Sequence, residues 1–167
     1  MPARLLLALL LLIVLGVVAA EAEVSLGKAD HVVVEKAARK LTLYREGVAL
    51  KSYRVALGFS PVGAKERQGD GRTPEGLYVI DRRNAQSRFH LSLHISYPGA
   101  QDKARAAEAG DDPGGDIFVH GLPNGLGFAG ATFNLRDWTL GCIAVTNSEI
   151  EEIWAAVPDG TPIEIKP

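Results

Sequence analysis

The sequence predicts a mainly β domain carrying small peripheral helices. Short runs of β-branched or alternating apolar residues recur along the chain, 18 glycines and 9 prolines punctuate them, and few segments carry helical start and stop signals. A length of 167 residues suits one domain of ordinary size. With 47% hydrophobic and 23% charged residues the composition is globular, which excludes a disordered or fibrous chain. The 18 basic side chains stand against 20 acidic ones without long like-charge blocks, so no nucleic-acid partner is expected.

Met1-Pro-Ala-Arg4 carries positive charge, and Leu5 to Ala20 follows without a charged residue. Small residues at Val18-x-Ala20 and Ala20-x-Ala22 mark cleavage sites, so residues 1–22 read as a secretory signal peptide. Retention as a membrane anchor is the alternative. At about 1.5 Å per residue the run covers roughly 24 Å, short of the roughly 30 Å hydrocarbon core. Either way residues 23–167 are expected outside the cytoplasm, in the periplasm or cell envelope, with an uncleaved leader acting as a membrane tether.

The first strands expected are His31–Glu35, Lys40–Tyr44 and Val48–Leu57, the last two joined at Arg45-Glu46-Gly47 as a hairpin. Phe59–Pro74 is a polar loop rich in Gly and Pro. Further strands are expected at Gly76–Asp81, Phe89–Tyr97, Ile117–His120, Cys142–Val145 and Pro162–Ile165. Ala100–Ala109 is an alanine-rich helix stopped at Gly110. Thr146-x-x-Glu149 is a capping box that opens a second helix, with Ile150, Ile153, Trp154 and Val157 as its buried stripe.

Cys142 is the single cysteine, so no internal disulfide can form. An exported lone thiol is either a small buried apolar residue or a nucleophile. Its surroundings favour the second. Asp116-Ile-Phe-Val-His120 reads as a short strand, followed by Gly121 and a segment to Asp137 without evident regular structure, which suggests a binding loop or lid. Beyond it, Cys142 shares a face with the small Ala144, while Ile143 and Val145 point to the core. A thiol of ordinary pKa near 8.5 needs an imidazole to take its proton, and the same imidazole can later protonate a leaving amine. His120 and Cys142 end strands that flank one loop, which permits contact at a sheet edge. Gly141 lets the backbone bend so that main-chain N–H groups point at an oxyanion.

The other histidines carry less. His31 opens a strand and reads as structural. His90 and His94 have a helical zinc spacing, but Phe89 to Tyr97 alternates with period two. Four residues of strand span roughly 13 Å, too far for ligands that each sit about 2 Å from one zinc ion. No metal site is expected there; His90, Ser92, His94 and Ser96 share a polar face that is either solvent-exposed, the default, or a cleft wall, for which His94 is the candidate. Gly125-Leu-Gly127-Phe-Ala-Gly130 matches G-x-G-x-x-G, but the residues after it suit no helix and no βαβ unit surrounds it. Asp111 to Asp116 lacks calcium-ligand spacing and reads as a turn.

Taken together, His120-Gly121, the long loop and Thr139-x-Gly141-Cys142 resemble the signature of L,D-transpeptidases of the YkuD type. Arg72-Thr-Pro-Glu-Gly76-Leu-Tyr, Phe89 to Pro98, Pro113 to Gly121 and the Leu41 to Gly47 hairpin are similar to its accompanying motifs. The resemblance covers about residues 30 to 167. It implies a β-sandwich-like or open-barrel catalytic domain acting on peptidoglycan stem peptides. In this family the cysteine attacks the carbonyl on the L-centre of the third-position diamino acid and expels D-Ala. The thioester then passes to an amine of a second stem, giving a 3→3 cross-link.

Carried across, the resemblance makes Cys142 the nucleophile and His120 the base and later acid. Gly121 orients the imidazole through its carbonyl, and Gly141 with Cys142 forms the oxyanion hole. Thr139, Trp138 and His94 are the candidate substrate contacts. No metal or organic cofactor is implied. Leu140 stands where the family usually has His, and Ala144 where it usually has Arg, which removes two polar groups near the substrate. Water as acceptor, giving a hydrolase, is therefore an alternative to the amine. A non-catalytic wall-binding module is a second alternative, although such a module has no use for an exported thiol.

Overall fold

In the computed structural model the described residues are 26–167, so the leader expected at residues 1–22 lies outside them. Eight strands form one mixed sheet: β1 His31–Glu35, β2 Lys40–Arg45, β3 Val48–Arg54, β4 Gly76–Ser87, β5 His90–Ile95, β6 Phe118–His120, β7 Ile143–Ala144 and β8 Thr161–Lys166. Their order is β3-β2-β1-β8-β4-β5-β6-β7. Neighbours are antiparallel except β1 with β8 and β6 with β7. Beyond β3 the chain reaches the opposite edge, where Ala56 and Ala144 exchange backbone hydrogen bonds of 2.9 and 2.8 Å. A second bridge pairs Gly58 with Thr139. The sheet therefore curls until its two edges meet, an open barrel whose seam carries the cysteine segment.

Burial of apolar side chains inside this curl drives the fold. Val32 and Val34, Leu41 and Leu43, Ile80, Leu93 and Ile95, Val119, and Ile163 and Ile165 alternate inward as period two requires. One helix, α1 (Ala100–Ala109), starts at Gly99, whose N–H donates to the Asp102 carboxylate, and ends at Gly110 with φ 75°. The other, α2 (Asn147–Ala156), opens with the expected capping box: Thr146 N–H donates to Glu149 Oε2 at 2.8 Å. Its Ile150 and Ile153 are buried against the core, with Val157 just beyond its last turn. Trp154 is only partly buried and lies under the Arg83 guanidinium, 4.9 Å from its ring centre.

Several expectations need adjusting, among them the strand expected to Leu57, which ends at Arg54. Strand β4 runs to Ser87, well beyond Asp81, because it pairs with β8 along its first part and with β5 along its second. Polar residues from Arg82 onward hid that extension from a hydrophobic pattern. The cysteine strand is shorter than expected: only Ile143 and Ala144 pair as β7. The segment Gly127–Leu135 holds short 3₁₀ turns, broken at Gly130 by φ 50°, ψ −141°.

Candidate active site

Strand β6 ends at His120, and β7 beside it begins directly after Cys142. Their parallel register pairs Val119 with Ile143 and His120 with Ala144. By alternation His120 and Cys142 then share a face, offset diagonally along the two strands. Ala144 opposite the imidazole is fully buried, not on an open face as expected; its small side chain leaves room for the ring. Both His120 and Cys142 line one cleft of about 800 Å³, together with Phe89, Ser92, Phe118, Trp138 and Leu140 among others.

His120 is held in one tautomer. Its Nδ1 lies 2.7 Å from the Gly121 carbonyl, which can only accept, so Nδ1 carries the proton and Nε2 keeps a lone pair. Gly121 fits only without a side chain: a Cβ there would sit 2.8 Å from Asn147 Oδ1 and 3.1 Å from the Phe89 carbonyl. The imidazole is flanked by Phe89, ring centres 4.5 Å apart, and by Trp138 at 5.7 Å. Burial among these rings lowers the His120 pKa, against the opposing pull of the Gly121 carbonyl.

The Cys142 thiol donates to the Asp116 carbonyl at 3.6 Å rather than to His120. Burial pushes its pKa up to about 11, the Asp116 charge adding to the rise while the Phe118 backbone and Lys65 oppose it. The resting pair is therefore neutral thiol and neutral imidazole.

The turn before the cysteine is closed from within. Thr139 Oγ1 accepts the Gly141 N–H at 3.1 Å and donates to the Cys142 carbonyl at 2.7 Å. Thr139 is 4% exposed and lines the cleft, and its hydroxyl shapes the turn. The same bond occupies the Gly141 N–H, which was expected to face an oxyanion. Gly141 itself is required by packing and backbone conformation together. It has φ 134°, and a Cβ would lie 2.6 Å from the Arg72 carbonyl. Gly58 crosses the same place, where a Cβ would meet the Gly71 carbonyl at 2.1 Å and the Gly141 Cα at 3.1 Å. Three loops thus stack backbone on backbone behind Cys142. Gly141→Ala should cost about 3 kcal/mol and lower the thermal midpoint by roughly 10 °C, through positive-φ strain and overpacking. A melt within 2 °C of wild type, taken as roughly the error of the method, would show that the crossing is looser than the backbone indicates.

Of the substrate-contact candidates, Trp138 lines the cleft beside Thr139, but His94 does not. His94 Nδ1 is 2.6 Å from Asp81 Oδ1, and its ring packs edge-on against Phe118. It supports the wall from behind. His90 is engaged by Glu151 at 2.6 Å, and His31 lies 4.0 Å from Glu164. The Asp111–Asp116 segment is a turn, with Asp112 Oδ1 accepting the Gly114 N–H at 2.8 Å. Sequence reasoning passed over Lys65, which is 3% exposed, lines the cleft and sits 2.9 Å from Asp70 Oδ1. Burial raises the Asp70 pKa, but Lys65 and the N–H groups of Glu66, Arg72 and Arg67 outweigh it and hold the carboxyl at about 2. No periodicity marks such a residue; only the folded loop brings it to the cleft.

A family model of the YkuD L,D-transpeptidase catalytic domain matches residues 29–165. The Escherichia coli (strain K12) protein YafK is 29% identical over 138 residues, which cover 79% of this chain and 48% of YafK. The chain thus spans about half the length of the curated relatives it matches. Among solved structures, the helical cell shape determining protein Pgp2 from Campylobacter jejuni superposes with a TM-score of 0.64 at 23% identity, covering 83% of this chain and 48% of Pgp2. Bd1075 from Bdellovibrio bacteriovorus gives a TM-score of 0.58 at 25% identity, covering 86% of this chain and 49% of Bd1075. With the family match running from before β1 into β8, across His120 and Cys142, this chain belongs to the L,D-transpeptidase catalytic domain family.

Proposed function

We propose that the chain is an exported cysteine acyltransferase that acts on peptidoglycan stem peptides and forms 3→3 cross-links. Residues 1–22 are then the signal peptide and residues 23–167 the catalytic domain. The observation that carries this reading is the shared cleft: one thiol and one imidazole of fixed tautomer line the same cavity.

In this mechanism the Cys142 thiol rotates from the Asp116 carbonyl toward His120 and gives its proton to Nε2. The sulfur attacks the carbonyl of the third-position residue, forming the C–S bond and a tetrahedral oxyanion. The Cys142 N–H stabilises that charge, since the Gly141 N–H is turned to Thr139. Collapse breaks the C–N bond, and D-Ala leaves with the proton from His120. An acceptor amine then attacks the thioester, loses a proton to Nε2 and releases the thiolate, which is reprotonated. Transfer by proton exchange between neutral partners suits a pair whose charged forms are both disfavoured by burial.

One observation favours water as acceptor. Leu140, 75% exposed, lines the cleft, and Ala144 is buried, so neither position offers a polar group to hold an incoming amine. Incubating residues 23–167 with a purified disaccharide-tetrapeptide, followed by mass spectrometry, separates the readings. A dimer lighter by one D-Ala supports the transpeptidase. Tripeptide without dimer makes the chain a hydrolase, and no change removes the tetrapeptide donor.

A further inference from the structure

A second cavity, of about 440 Å³, shares no lining residue with the cleft. It lies between the turn after β1, the end of β3 and the segment before Trp138. Three arginines line it, Arg39, Arg54 and Arg136, with Asp137 as the one acidic residue. Asp137 is already engaged: Arg39 grips it at 2.7 to 3.1 Å, and the Leu57 N–H donates to it at 2.9 Å. That leaves the Arg54 and Arg136 guanidiniums without an ion-pair partner among the described residues. Asn134, 3% exposed, lines the same cavity, and its Nδ2 has no hydrogen-bond partner.

We propose that this cavity binds a small molecule bearing an oxyanion, a carboxylate or a phosphate monoester. The Arg54 and Arg136 forks donate to its oxygens and neutralise the charge. The volume admits a ligand the size of an acylated amino acid. The site also has a reporter. Asn134 Oδ1 accepts the Trp138 indole N–H at 3.4 Å, and Trp138 packs against His120, so an anion that fixes Asn134 is felt beside the imidazole.

The test follows the Trp138 indole N–H resonance of the full chain during titration with N-acetyl-D-alanine and, separately, glycerol phosphate, at ionic strength held constant with sodium chloride. The expected result is a saturable shift at Trp138 but not at Trp154, from one or both ligands. Which ligand saturates names the source of the oxyanion. Binding should weaken at least tenfold in Arg54→Gln and in Arg136→Gln, two exposed positions whose replacement leaves the fold intact, and stay unchanged in Arg88→Gln, since Arg88 lines the cleft and not this cavity. A response no larger than that to chloride, or one unaffected by either cavity variant, or one lost only in Arg88→Gln, overturns the proposal.

Discussion

Cys142→Ala should lower D-Ala release from a tetrapeptide stem by about 10⁴-fold or more, because alanine offers no sulfur to form the acyl intermediate. The thiol makes one long hydrogen bond, to the Asp116 carbonyl, and is only partly buried. Its removal should cost about 1 kcal/mol of stability, so the variant remains folded and its loss of activity is chemical. Measuring melting temperature beside product formation checks both halves. A variant that stays folded and keeps a tenth of the wild-type rate, roughly, would place the chemistry elsewhere.

His120→Gln should reduce the rate by roughly 10²- to 10⁴-fold, the usual contribution of a positioned acid–base group. Glutamine can still donate to the Gly121 carbonyl, but it cannot carry a proton from sulfur to the leaving amine. The pH profile distinguishes this from a packing defect. Burial lowers the imidazole pKa from its ordinary 6.5, so in the wild type the neutral base persists below that value and the acid limb falls under pH 6.5. The thiol lies at about 11, so the variant's residual rate should climb through the alkaline range as thiolate forms, without the acid limb. Stability follows the same signs. A lowered imidazole pKa means stability is lost as pH falls from 6.5 toward the folded value, and a raised thiol pKa means stability is lost as pH rises from the ordinary thiol range toward about 11.

Much of this geometry was visible in the residues alone. Alternation located the strands around Val32, Leu41, Leu93 and Ile163, and the Thr146/Glu149 capping box fixed the start of α2. His120 and Cys142 were legible as a pair because each closes or precedes a short strand at the ends of one loop. What stayed hidden depends on contacts between distant segments. The need for glycine at position 141 comes from the Arg72 carbonyl on another loop, and the inward turn of the Thr139 hydroxyl comes from two backbone partners that only the closed turn supplies. His94 was placed on a polar strand face correctly, but nothing in its own strand reveals that Asp81 engages it. The second cavity was invisible for the same reason. Its arginines come from three separate stretches of chain and meet only when the two sheet edges close at Ala56 and Ala144.

The central claim is a covalent thioester on Cys142, and intact-protein mass spectrometry during turnover of a tetrapeptide stem reads it directly. The mechanism predicts an adduct equal to the stem peptide less D-Ala, mapping to Cys142 after digestion and released by hydroxylamine. Full consumption of the stem with no adduct at any time after rapid acid quench, or an adduct on another residue, would contradict it.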